Sequence, residues 1–201
     1  MADISTADDY AWLSDQYEDL MDAYCVTLVN RITPEELLES LGAETRVRIA
    51  GVAGLCEPSF DVPDDHKMFV GVAPLGEWSL MVEYNGYLGI TGQAMLPISS
   101  GRTVVSHFYN VNGVNRFCWY ENGDARLTFE PDAASHREGS NPDDLLTEMQ
   151  ECGFDLTDDD WGSETRFEAP FALAERITGV RLTPQIFASA EFLCGLVREP
   201  R

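Results

Sequence analysis

Apolar positions along the chain change period twice. From Asp8 onward, Tyr10, Leu13, Tyr17, Leu20, Met21, Tyr24 and Leu28 recur at spacings of three and four, while Asp15, Glu18, Asp19 and Asp22 take the other face. That spacing predicts an amphipathic helix laid on a core. In TPEELLESLG (33–42), Thr33 is placed to cap, Pro34 suits a first turn, Glu36 completes a capping box and Gly42 stops the helix.

The middle of the chain reads as sheet. Val47, Ile49 and Val52 suggest a first strand and MFVGVA (68–73) a second. Asn-Gly then occurs at Asn85-Gly86, Asn112-Gly113 and Asn122-Gly123, each flanked by β-branched and aromatic residues. Asn-Gly supplies the two positive φ angles of a type I′ turn, so each pair predicts a two-residue hairpin loop. The reading is an antiparallel meander of about five or six strands.

These loops fix a register. Asn112-Gly113 would set Phe108 opposite Phe117 and His107 opposite Cys118; Asn122-Gly123 would set Tyr120 opposite Ala125 and Cys118 opposite Leu127. One face would then carry Val105, His107, Tyr109, Cys118, Tyr120, Leu127 and Phe129, and is read as the core face. The other would carry Ser106, Phe108, Asn110, Asn115, Phe117, Trp119 and Arg126.

Helical signals return at NPDDLLTEMQECGF, where Asn141 caps, Pro142 starts and Gly153 ends a helix. ALAERITGVRLTPQIFASAEFLCG reads as two short helices meeting at Gly179, with Thr183 and Pro184 opening the second. Helix, sheet, then helices is an α+β pattern: an antiparallel meander with N-terminal and C-terminal helices packed on it. The expected organisation is a single domain over residues 1–201, a length that supports one well-filled core.

Composition adds a constraint on partners. Thirteen Lys and Arg stand against 35 Asp and Glu, a formal charge of −22. Such a surface repels phosphate backbones and anionic lipid, so neither direct nucleic-acid binding nor membrane binding is expected. It would attract a basic protein and raise its association rate. With 44% hydrophobic residues the chain has the material for a core and is not a disordered polyanion. Five scattered cysteines without a CxxC read as reduced thiols, and MADISTADDY has neither the basic nor the apolar region of a signal peptide. A cytoplasmic protein is expected.

Candidate chemistry is sparse. His107 facing Cys118 would bring a base beside a thiol, the pairing that generates a thiolate nucleophile. A strand interior, however, spends its N–H groups on the ladder and leaves none for an oxyanion, so the pair is read as core packing. His66 and His136 fall in separate loops. The acidic loop Asp155–Asp160 lacks the alternating ligands and distal Glu of an EF-hand. No catalytic residue, metal site or cofactor is assigned.

DAYCVTLVNRITPEELLESLGAE, EWSLMVEYNGYLG, HFYNVNGVNRFCWYENGDARLTFEP and LAERITGVRLTP, in that order, resemble a family of uncharacterised bacterial proteins, a domain of unknown function. The resemblance runs from about Tyr10 to Cys194. It implies one bacterial cytosolic domain and carries no site.

The function expected is an acidic, non-catalytic protein-binding module, immunity-like or regulatory by analogy of class. The alternatives are an enzyme whose site assembles only in three dimensions and a nucleic-acid mimic. The binding residues expected for a basic protein partner are Asp158, Asp159, Asp160 and Trp161, an aromatic ring among carboxylates. The sequence does not constrain the oligomeric state.

Overall fold

The structure, a computed structural model, describes residues 5–64, 66–157, 165 and 167–200. Nine strands among them form one sheet: β1 (Tyr24–Asn30), β2 (Glu44–Ala50), β3 (Lys67–Leu75), β4 (Trp78–Tyr84), β5 (Thr103–Tyr109), β6 (Asn115–Glu121), β7 (Asp124–Phe129), β8 (Arg137–Glu138) and β9 (Glu191–Arg198). Their spatial order is β2-β9-β3-β4-β1-β5-β6-β7-β8, and every pair is antiparallel. The α+β class and the antiparallel sheet therefore stand, but the sheet is larger than five or six strands.

Two of the added strands come from segments with helical spacing. Tyr24–Asn30 is the central strand, not the end of a helix. The N-terminal helical stretch breaks into a 3-10 turn (Ala7–Tyr10), α1 (Trp12–Gln16) and α2 (Glu18–Met21). Tyr24 and Leu28 are four residues apart, which returns to one face of a helix and equally to one face of a strand. The β-branched Val26 and Thr27 between them, and Val29 just after, fit a strand that is buried along nearly its whole length. Likewise EFLCG begins β9, which pairs with β2 and β3.

Helices cover both faces of the sheet. Tyr24, Val26 and Leu28 look toward one core, with Leu13 of α1, Leu20 of α2, Met149 of α6 (Leu146–Cys152), Phe171 of α7 (Glu168–Thr178) and Phe187 of α8 (Pro184–Ser189). Val29, Val72, Met81 and Val104 look the other way, toward Leu37 and Leu38 of α3 (Pro34–Ser40) and Met95 and Ile98 of α5 (Gly92–Ile98). Between β2 and β3 lies α4 (Cys56–Phe60), which buries none of its residues.

Capping signals behave as the sequence predicts. Thr33 Oγ1 accepts from the Glu36 N–H, and the Glu36 carboxylate accepts from the Thr33 N–H at 2.9 Å. Gly153 and Gly179 close α6 and α7 in the left-handed conformation, and Thr183 caps α8. α6 starts later than expected. Asn141 gives its N–H to Arg126 of β7 and caps no helix, while Asp143 and Asp144, ahead of the N-cap Leu145, pair with Arg137 and Arg126.

The three Asn-Gly pairs have three different outcomes. Asn122 and Gly123 (φ 55° and 80°) form the expected two-residue loop, with Glu121 opposite Asp124 and Tyr120 opposite Ala125, but a bulge between Trp119 and Tyr120 sets Trp119, not Cys118, opposite Leu127. At the second pair, Asn110 Oδ1 accepts from the N–H groups of Asn112 and Val114, and the Gly113 N–H reaches Asn110 O at 2.9 Å. The loop is thus three residues long, Val111–Gly113, and of the two only Gly113 takes positive φ. This added residue moves the register by one: His107 faces Phe117 and Cys118 faces Ser106. Phe117 and Trp119 therefore share the face of His107, whereas Cys118 and Tyr120 lie on the opposite one. Asn85-Gly86 is not a hairpin at all. Both edges of β4 are already taken, by β3 and β1, so no following strand can pair there.

The contrast between the two hairpins is measurable. Asn122→Ala should lower stability by about 1 kcal/mol, because alanine lacks asparagine's tolerance of the left-handed region. Asn112→Ala should stay within about 0.5 kcal/mol. Urea unfolding of the two variants checks both; equal losses would contradict the turn assignments.

Candidate functional site

The polar side chains of the sheet interior come first, because hidden chemistry would lie there. On the face covered by α7, His107 is almost fully buried. Its Nδ1 lies 2.9 Å from Tyr24 Oη and its Nε2 2.8 Å from Asn115 Oδ1. A carboxamide oxygen only accepts, so Nε2 carries the proton and Nδ1 accepts from the tyrosine hydroxyl. Burial pushes the imidazole down to about 3, and Phe171 and Tyr24 pack edge-on against it. His107 is a neutral link in a Tyr–His–Asn chain. Its one-residue displacement from Cys118 puts those two side chains on opposite faces, so the base–thiol pairing weighed from sequence does not form.

The other face holds a buried carboxyl. Glu83 pairs across the strands with Cys25 and is wholly inaccessible. Its oxygens accept from the N–H groups of Leu88 and Gly89 at 3.0 and 3.1 Å. Burial raises its pKa to about 7 against those two bonds, which lower it. Thr27 and Ser106 complete the patch, their hydroxyls 3.1 Å apart. Asn85-Gly86 has its role here: it folds the chain back so that the 3-10 turn Leu88–Ile90 seals the carboxyl. Gly89 presses so close that a Cβ would lie 2.0 Å from Thr27 Oγ1, which only glycine avoids.

Burial chiefly raises all five cysteine thiols above their ordinary range. Each is held as the poorly nucleophilic thiol. Among the described residues no three His, Cys, Asp or Glu side chains converge as a metal cage. No described helix is long and apolar enough to cross a membrane.

The surface offers more. Phe60, at the end of α4, is 65% exposed, and Val47 on β2 is 45% exposed. Two depressions of about 250 and 270 Å³ lie here and share Val62 and Phe69 as walls. Phe60 lines the larger; Val47, Pro58 and Pro63 line the smaller. Beyond Phe69, Tyr87 donates to the Glu199 carboxylate, and His66 Nδ1 lies 3.8 Å from the same group. The connection from Gly51 to His66 carries Glu57, Asp61, Asp64 and Asp65 and neither lysine nor arginine. Among the described residues, strand β2 beside it bonds only to β9, with no strand on its outer edge.

The residues expected from sequence to bind a partner, Asp158, Asp159, Asp160 and Trp161, lie outside the described residues. Just before them, Asp155 Oδ1 accepts from the N–H of Thr157 at 2.8 Å, a local turn. Sequence reasoning passed over Phe60. Its signal was composition: a lone aromatic between two prolines in EPSFDVPDD, where an apolar helix face has no room to form. A model of the Family of unknown function (DUF6461) matches residues 3–201. No curated protein and no solved structure matches the chain.

Glu83 gives a pH signature. Its folded pKa, about 7, lies above its ordinary 4.5, so the folded chain holds this proton more tightly. The resulting stabilisation is full below the lower value, declines as pH rises, and is gone above the higher one. Its size is on the order of 3 kcal/mol at most. Glu83→Gln cannot titrate, so the wild type should lose stability relative to it between about pH 4.5 and 7. Parallel denaturation curves across that range would refute the buried carboxyl.

Proposed function

We propose that this chain, which belongs to the Family of unknown function (DUF6461), is a protein-binding module that docks a basic partner on the face around Phe60. The observation that carries the reading is Phe60 itself, a phenyl ring left two-thirds in water at the end of a helix with no fully buried residue. Exposed aromatic anchors are where binding energy concentrates at protein interfaces, and the depression beside Phe60 adds polar groups, among them Asp64, His66 and Glu199, that a partner could meet. Four carboxylates in the same connection, on a chain of charge −22, set the sign of the partner. Electrostatics would govern encounter, and burial of Phe60 would govern residence.

The inward chemistry supports binding over catalysis. His107, Glu83, Cys25 and Cys118 are the groups best suited to acid–base or nucleophilic work, and all four are buried. A cytoplasmic setting and an immunity-like or regulatory role are consistent with this reading.

Immobilised protein exposed to native lysate tests it. Wild type should retain a basic protein that salt elutes, and Phe60→Ser should lose it with stability unchanged within about 0.5 kcal/mol. Replacing Glu57, Asp61 and Asp64 by their amides should slow association and weaken its salt dependence. Val111→Ser, on the exposed tip of the β5–β6 hairpin, should change nothing. Retention that ignores Phe60 would overturn this face as the interface.

A further inference from the structure

The sheet parts at one end. Strands β3 and β4 pair from Leu75 opposite Trp78 to Gly71 opposite Val82, and their ladder stops there. From that point β3 follows β9 to Lys67, while β4 follows β1 to Tyr84. The depression of about 270 Å³ beside Phe60 sits in this fork, with Met68 and Phe69 lining it from one prong and Tyr84 and Asn85 from the other. Small-molecule pockets start at about 300 Å³. This one suits a single side chain of a larger partner better than a free ligand.

The polar groups of the fork set the sign of that side chain. Tyr87 donates to Glu199 Oε1, and His66 Nδ1 stands 3.8 Å from Oε2, beyond hydrogen-bond length. Among the described residues nothing else bonds to this carboxylate, and its side chain is 42% exposed. Oε2 is therefore open to a donor from outside. Asp64 adds a second carboxylate, with one oxygen on the His66 N–H at 3.0 Å. Lys67 also lines the fork, but its ammonium is held by Glu44, which does not. Phe60 and Tyr87 bring ring surface to the same space. A guanidinium fits this combination, because it is planar and weakly hydrated, pairs with carboxylate and stacks on aromatic faces. The ammonium of lysine is a compact, strongly hydrated charge and meets only part of it.

We infer that the fork between β3 and β4 receives an arginine side chain of the basic partner, with the guanidinium on the open oxygen of Glu199 and its plane against Phe60. The inference rests on the reading of this face as an interface and adds the residue that the partner must present. Asp64 keeps the approach negative, and the rings of Phe60 and Tyr87 cover the guanidinium faces that water hydrates least.

Amide chemical shifts of the whole chain, followed during titration with a short peptide, decide the matter. The probe is Gly-Gly-Arg-Gly-Gly, acetylated and amidated to remove its terminal charges; the controls carry lysine or the neutral isostere citrulline at the centre. The arginine peptide should bind saturably and shift Met68, Tyr87 and Glu199, the lysine peptide should bind more weakly, and the citrulline peptide should not bind. Glu199→Gln keeps an acceptor for Tyr87 and removes the charge, so it should weaken the arginine peptide about tenfold. Phe60→Ser should weaken it about threefold. Melting temperatures check that both variants are folded. No saturable shift at the fork, equal binding of either control, or indifference to Glu199→Gln would overturn the inference. That failure is separate from failure of the interface itself: retention of a basic protein from lysate that still depends on Phe60 would leave the face standing and take arginine out of it.

Discussion

Strand β1 is hydrogen-bonded along both edges and covered on both faces, and the placement of the other elements follows from what that strand requires. Tyr24–Asn30 lies fifth of nine, between β4 and β5. A strand with no exposed face must have a helical layer above and below. It must also find partners inside for every polar side chain it carries. The early helices and the C-terminal α7 and α8 supply one layer, α3 and α5 the other. Distant parts of the chain are therefore brought around its first strand: Phe171 reaches Tyr24 with ring centroids 5.8 Å apart, and β9 enters the same sheet between β3 and β2.

The polar groups of that interior are settled in two different ways. Tyr24, His107 and Asn115 form a chain in which each donor has an acceptor and no charge need exist. Glu83 is harder to place, because an ionised carboxylate in that layer faces no cation. Two backbone N–H groups meet it, and the turn that supplies them is anchored by a glycine too close to Thr27 to be anything else. The polar pair of threonine and serine hydroxyls beneath it belongs to the same packing problem. These residues resemble a reactive site in composition and act as interior joinery in structure.

Local rules made the caps readable from the sequence, because a cap depends on a few adjacent residues. Thr33 with Glu36, Gly153, Gly179 and Thr183 all sit where their side chains or φ angles demand. Non-local facts were hidden. Spacing by four could not separate helix from strand at Tyr24 and Leu28, since both periods return to the same face. The register at Asn112 turned on the side chain of Asn110, one residue outside the dipeptide that carries the hairpin signal. Nor could Asn85-Gly86 reveal that both neighbours of β4 were already present. Phe60 was obscured for the same reason: whether an aromatic ring is covered depends on what the rest of the chain brings to it.

The two rims of the sheet are unequal. β2 is seven residues long with an open outer edge, while β8 at the far rim has two. Arg46 and Arg48 point charge from β2, and Thr45 adopts φ 53° beside a break in its pairing. Charges and irregularity of this kind discourage stray strands from adding to an edge. The asymmetry also limits growth. A sheet that can be extended at only one rim can gain one neighbour, and two copies joined β2 to β2 about a twofold axis leave no long edge for a third. Any edge-to-edge assembly through β2 would thus end at a pair, not a fibre.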